Sequence, residues 1–139
     1  MKEIILHVSK RIAFVKEAVN SLPPVIRKRL PREIAVIVVS PQESLKLNRR
    51  YRHKRKPTNV LSFLYGREYG EIIVCPSVIR KEAKEQAHTE VFQMTWMVLH
   101  GMLHLAGLHH ENSRIVAKKV ERIEQRILSA LEKKRKNKR

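Results

Sequence analysis

Two histidines placed four positions apart on a predicted helix constrain this chain more than any other feature. Thr89 is a favoured N-cap residue, and it precedes a helical pattern that runs through His100 and His104 to Ala106. Gly107 follows, and glycine is the residue that most readily adopts the left-handed conformation that ends a helix. Because side chains at i and i+4 share one helix face, the pattern predicts two neighbouring imidazoles just before a reversal of the chain.

A third histidine follows that reversal. His110 stands three positions after the glycine, where the returning chain can bring it toward the same helix face. Zinc bound by three imidazoles keeps a fourth position for water, which is the catalytic rather than the closed structural arrangement. We therefore predict one zinc ion per chain, bound by His100, His104 and His110. His109 is the alternative third ligand, and the single cysteine, Cys75, lies elsewhere in the sequence.

The spacing of these histidines equals that of the zinc-protease pattern H-E-x-x-H-x-x-G-x-x-H, with one departure. Position 101 is glycine, where those proteases carry the glutamate that acts as general base. A zinc-bound water can attack phosphorus as well as carbonyl carbon, so the missing glutamate favours a reaction other than peptide hydrolysis. Glu111 is an alternative base, although a solvated loop carboxylate is the simpler interpretation.

The charge of the chain indicates which substrate class to consider. Thirty Lys and Arg residues against thirteen Asp and Glu residues give a formal net charge of +17. Such an excess favours a polyanionic partner, with nucleic acid as the first candidate. A basic protein without such a partner is the alternative, because charge alone is a weak signal.

Composition also bounds the class of protein. A chain of 139 residues fits one domain, and a single cysteine cannot form an internal disulfide, which favours a reducing cytosol. No stretch approaches the roughly 20 apolar residues of a membrane span. We therefore expect a cytoplasmic protein that does not enter a membrane.

Hydrophobic patterning predicts an α/β fold, with helices packed on a small mixed β-sheet of about four strands and the histidine helix in the C-terminal half. Residues 1–132 are predicted to form a single metallohydrolase-like domain, followed by a disordered basic tail at residues 133–139. The predicted strands cover residues 2–8, 34–39, 60–65 and 71–75. The predicted helices cover residues 11–22, 24–30, 40–51, 76–87, 89–106 and 113–131, with a basic loop at residues 49–56.

Three blocks of the sequence resemble the YbeY family of bacterial ribosomal-RNA maturation endoribonucleases. The family pattern H-G-x-L-H-L-x-G-[YF]-D-H matches residues 100–110, except that Leu108 replaces an aromatic residue and His109 replaces Asp. The second change removes a carboxylate that could hydrogen-bond to a metal ligand. The pattern L-N-x-x-[YF]-R-x-x-x-x-P-T-[DN]-V-L-S-F matches residues 47–63, and residues 70–72 form a weaker third block.

The resemblance implies a metal-dependent endoribonuclease that prefers single-stranded RNA and acts in 16S rRNA 3′-end maturation and ribosome quality control. Ribosomal RNA and ribosomal particles would then be its partners. It also implies a critical role for Arg52, and a guanidinium can bind a phosphate bidentately and stabilise charge in the transition state. A structural ion pair between Arg52 and Glu71 is the alternative. Tyr51 could stack on a base, although packing is the simpler role.

The basic residues around Arg52 are candidates for contacts with the RNA backbone, which contribute affinity that falls as salt rises. A solvated turn is the alternative interpretation of this segment. The candidates are Arg49, Arg50, Lys54, Arg55 and Lys56.

Two other functions remain open from the sequence. The first is a non-catalytic RNA-binding ribosome assembly factor with a structural zinc ion. The second is a metallohydrolase of peptides or small molecules, against which both Gly101 and the net charge argue.

Overall fold

The computed structural model describes residues 3–108 and 113–137. Within these ranges the strands are β1 (Ile5–Val8), β2 (Glu33–Val38), β3 (Val60–Leu64) and β4 (Tyr69–Val74). The α-helices are α1 (Val15–Asn20), α2 (Pro24–Arg27), α3 (Pro41–Arg52), α4 (Pro76–Glu85), α5 (Glu90–Leu105) and α6 (Arg114–Asn137).

The strands form one mixed sheet in the order β1-β2-β4-β3. β1, β2 and β4 are parallel, with Val36 opposite Ile72, whereas β3 pairs antiparallel with β4 and places Ser62 opposite Ile72. Buried β-branched residues dominate the inner strands, as expected of strands covered by helices. The predicted α/β fold with a four-stranded mixed sheet is therefore confirmed.

Helix α5 is the central helix of the fold. It packs against β3 and β4 on one side and against α1, α4 and α6 on the others. Most of its sixteen residues are buried, including Val98, Leu99, Met102 and Leu103. A helix that is apolar nearly all round is one that other elements enclose, so the two histidines are carried by the most firmly held helix of the domain.

Two glycines allow α5 to lie close to β4. A Cβ added to Gly101 of the helix would be 2.9 Å from Cγ2 of Ile72 on the strand. One turn further on, a Cβ added to Gly70 of the strand would be 3.2 Å from Cδ1 of Leu105 on the helix. The bulky residue of one element thus lies against the glycine of the other, and this complementarity sets the height of the helix above the sheet.

Helix α5 begins and ends at the residues that the sequence predicts. Thr89 caps its start by accepting a hydrogen bond from the amide of Phe92, and Gly107 follows its end with φ +86°. The amide of Gly107 donates to the carbonyl of His104, and the amide of Leu108 donates to that of Leu103. These two bonds form a Schellman motif, which turns the chain away from the helix directly after the second histidine.

The structure differs from the predicted elements at three places. The expected helix at residues 11–22 is a 3-10 turn, Lys10–Ile12, followed by α1. The predicted helix at residues 40–51 and the predicted basic loop at residues 49–56 overlap, and α3 extends to Arg52, so Arg49 and Arg50 are helical and the loop is shorter than predicted. Helix α6 continues to Asn137, so residues 133–137 are helical where a disordered tail was expected.

The longer α6 has a physical explanation. Lys and Arg are good helix formers, and cations near a helix C-terminus interact favourably with its dipole. Lys134 also pairs with Glu17 on α1, with 3.6 Å between Nζ and Oε1.

In the ranges that the structure describes, no helix is long and apolar enough to cross a membrane.

Candidate active site

A cleft of about 560 Å³ opens beside the histidine-bearing half of α5. Its walls come from four elements: the end of α3, strand β3, helix α5 and helix α6. The side chains that bear on its chemistry are Tyr51, Arg52, Ser62, Phe63, Trp96, His100, His104 and Glu124. The cleft therefore brings together residues of two of the three family blocks, the one at residues 47–63 and the one that contains His100 and His104.

His100 and His104 lie side by side on α5 with their ring centroids 5.0 Å apart. Both line the cleft, as their spacing of one helical turn predicts. His110, the alternative ligand His109 and the alternative base Glu111 lie outside the described residues. Among the residues that are described, no group of three metal-ligating side chains is found, so the structure supplies two of the three predicted ligands as a pair.

Arg52 lies in the last turn of α3, and its exposed side chain lines the same cleft as the two histidines. The alternative pairing with Glu71 does not occur. Glu71 instead accepts a hydrogen bond of 2.9 Å from the hydroxyl of Tyr69, which raises the pKa of that phenol above its ordinary value. Within residues 3–108 and 113–137, Arg52 makes no ion pair within 4.0 Å.

The basic segment after α3 is held by buried polar side chains. The amide nitrogen of Asn48 donates to the carbonyl of Lys56 at 2.8 Å, and Ser44 Oγ bonds to both the amide and the carbonyl of Thr58 at 2.8 Å. His53 ends the helix in the left-handed conformation, with φ 58°. The chain therefore turns sharply after α3, and hydrogen bonds to Asn48 and Ser44 hold the backbone at the end of the basic segment.

All five predicted backbone-binding residues are exposed and lie within four positions of Arg52, which lines the cleft. They lie on the last turns of α3 and in the segment that follows it, namely Arg49, Arg50, Lys54, Arg55 and Lys56.

Tyr51 forms part of the cleft wall rather than of the core. Its side chain is 52% exposed, and its ring meets that of Phe63 on β3 edge to face, with centroids 4.9 Å apart. The guanidinium of Arg50 lies 5.4 Å from the Tyr51 ring centroid. An exposed aromatic ring on a cleft wall can accept a stacked base, so stacking stays a prediction beside the observed packing on Phe63.

Sequence reasoning missed Glu124. This residue of α6 is 5% exposed, and its Oε2 atom accepts a hydrogen bond from Trp96 Nε1 at 3.2 Å and is within hydrogen-bond distance, 3.1 Å, of His100 Nδ1. The sequence did carry a signal, because Glu124 falls on the apolar stripe of α6 with Val120, Ile127 and Leu131. Trp96 of α5 also lines the cleft and donates its indole N–H to this carboxylate.

The side chains of His100 and His104 are suitable ligands for a metal ion such as zinc. Imidazole nitrogens are among its usual ligands, and metal-binding histidines commonly donate their other ring N–H to a carboxylate. His100 has that partner in Glu124. The pair of rings, the buried carboxylate and the nearby guanidinium are together able to bind a metal and an anionic substrate.

Comparisons with known proteins show the family of the chain. The family model described as endoribonuclease YbeY matches residues 2–132. The endoribonuclease YbeY of Thermotoga petrophila is 37% identical over 110 residues, covering 77% of this chain and 73% of that protein. The one from Acinetobacter baylyi is 35% identical over 130 residues, covering 86% and 82%. The solution structure of a Thermotoga maritima protein superposes with a TM-score of 0.61 at 27% identity, covering 94% and 92% of the two chains.

Proposed function

The chain belongs to the endoribonuclease YbeY family, and on that premise we propose that it is a zinc-dependent endoribonuclease that prefers single-stranded RNA. Its proposed role is 16S rRNA 3′-end maturation and ribosome quality control. The observation that carries this proposal is the shared cleft, which is lined both by Arg52 of α3 and by the histidine pair of α5.

His100 and His104 are the proposed metal ligands, with His110 as the third by its position in the sequence. Zinc bound there would lower the pKa of a water molecule toward neutrality and so supply a nucleophile. The histidines hold their positions because α5 is enclosed by the sheet and three helices. Such rigid support is what a reacting geometry requires.

Arg52 is the proposed catalytic residue that binds the phosphate. Its guanidinium can donate two parallel hydrogen bonds to phosphate oxygens and stabilise the charge that grows on them during cleavage. Since the side chain has no ion pair among the described residues, binding a phosphate breaks no existing pair.

The five cations around Arg52 and the ring of Tyr51 would bind the rest of the RNA strand. Cations contact phosphates whatever the base, and an aromatic ring stacks on any unpaired base. An unpaired strand exposes both its backbone and its base faces, which accounts for the preference for single-stranded RNA. The proposed partners are accordingly ribosomal RNA and ribosomal particles in the cytoplasm.

A cleavage assay with metal control tests the proposal. The purified protein should cleave a single-stranded RNA, lose that activity with a chelator and regain it with added zinc. His104→Ala should abolish cleavage, whereas His7→Ala, which alters an exposed histidine of β1, should not. Cleavage that survives in a clean His104→Ala preparation would contradict the mechanism. RNA binding without turnover, unaffected by the chelator, would favour an assembly factor instead.

A further inference from the structure

Glu124 is a charged residue in an otherwise apolar interface. It lies on the face of α6 that packs on the core, between Val120 and Ile127, and its side chain is only 6% exposed. Burying a carboxylate is costly unless it is hydrogen-bonded. A hydrophobic residue would suit this position on the helix stripe, so the carboxylate needs an explanation in terms of its two partners.

Trp96 and His100, the two partners of Glu124, determine which ring nitrogen of His100 carries a hydrogen. The indole Nε1 of Trp96 is only a donor, and an ionised carboxylate is only an acceptor. Glu124 Oε2 therefore accepts from Trp96 at 3.2 Å and from His100 Nδ1 at 3.1 Å, so Nδ1 carries the proton of the imidazole. In the neutral ring the lone pair is then on Nε2, the nitrogen that a metal would bind.

We propose that Glu124 is a positioning residue that selects the Nδ1-protonated tautomer of His100 and orients its ring for metal binding, while Trp96 orients Glu124. The proposal rests on the proposed function for its metal, but not for its tautomer.

The tautomer can be measured in the metal-free protein by ¹⁵N NMR of the histidine ring nitrogens, at a pH where imidazole is neutral. The wild type should show His100 protonated at Nδ1. Glu124→Ala should lose that preference, whereas Glu124→Gln should keep it because the amide oxygen still accepts a hydrogen bond. Glu121→Gln, an exposed glutamate of the same helix, is the matched control and should change nothing.

Zinc affinity from competition with a chelator is the second measurement. Loss of such an outer partner typically weakens metal binding by about 10–100-fold, which is the range expected for Glu124→Ala. Glu124→Gln should recover most of this loss. If Glu124→Ala fails to fold by circular dichroism, Trp96→Phe removes the indole N–H donor while keeping an aromatic, though smaller, side chain, and it should give a smaller loss in the same direction.

Two results would overturn the inference. One is a folded Glu124→Ala protein that keeps both the Nδ1 tautomer and wild-type zinc affinity. The other is a wild-type protein in which ¹⁵N NMR finds the neutral His100 ring protonated at Nε2 rather than at Nδ1. If the protein proves not to use zinc in cleavage, the NMR result still stands, so the two proposals fail separately.

Discussion

Gly101 of α5 packs so closely on Ile72 of β4 that a side chain at position 101 has no room. A Cβ built there would be 2.9 Å from Ile72 Cγ2 and 3.0 Å from Ser62 Oγ. Zinc proteases carry their general-base glutamate at this position of the pattern. The close approach of the helix to the sheet is therefore incompatible with a glutamate at position 101 unless the neighbouring residues shift.

Gly101→Ala should lower the free energy of unfolding by about 1–2 kcal/mol. The added methyl overpacks the contact with β4, and this cost exceeds the gain of roughly 1 kcal/mol in helix propensity. Urea unfolding followed by circular dichroism measures the change. In an Ile72→Ala background the same substitution should cost clearly less, because its main clash is removed. An equal cost in both backgrounds would mean that Ile72 is not the obstacle.

Arg52→Ala should reduce the rate of RNA cleavage by about 10²–10³-fold, the usual loss when one charge-stabilising donor is removed. Stability should change by no more than about 0.5 kcal/mol, because the exposed side chain makes no ion pair among the described residues. Arg52→Lys should recover only part of the rate, since an ammonium cannot bind a phosphate bidentately. Arg122→Ala on the exposed side of α6 is the control, and a comparable loss there would argue against a specific role.

Tyr51→Ala should weaken binding of single-stranded RNA by about 1–3 kcal/mol, the usual contribution of one stacked base. Tyr51→Phe should bind like the wild type because the ring is kept. Tyr65→Ala changes another exposed tyrosine, one that does not line the cleft, and should have little effect. Fluorescence anisotropy with a labelled oligonucleotide distinguishes these outcomes, and equal losses for both alanine variants would contradict stacking on Tyr51.

The combined replacement of Arg49, Lys54 and Lys56 by alanine should flatten the salt dependence of RNA binding. Each phosphate contact on a single strand contributes roughly 0.7 to the slope of log K against log salt, so the slope should fall by about 2 units. A triple variant of Lys118, Lys119 and Arg122, all exposed on α6, removes the same charge elsewhere. Indistinguishable slopes for the two triple variants would mean that RNA binding depends on the net charge of the protein rather than on these three residues.

Local patterns explain what could be predicted about the site. The interval between His100 and His104 is a property of one helix turn, and Thr89 and Gly107 act on the amides and carbonyls next to them. Such features depend on a few neighbouring residues, so the sequence predicts them directly. The resemblance of residues 47–63 to one family block likewise predicts a critical role for Arg52.

The partner of His100 could not be predicted in this way. Glu124 follows it by 24 positions on another helix, and only the packing of α6 on α5 decides which residue of the apolar stripe faces the imidazole. The same holds for Tyr51, whose exposure depends on how α3 meets β3.

By itself, the sequence determined the histidine helix, its two ends, the four strands and the basic character of the segment after α3, because periodicity and capping act over a few residues. Only the tertiary structure decided that Gly101 excludes a side chain, that Arg52 shares a cleft with the histidines, and that Glu124 holds one of them. These are contacts between elements far apart in the chain, and they are set by the close approach of a helix to a sheet.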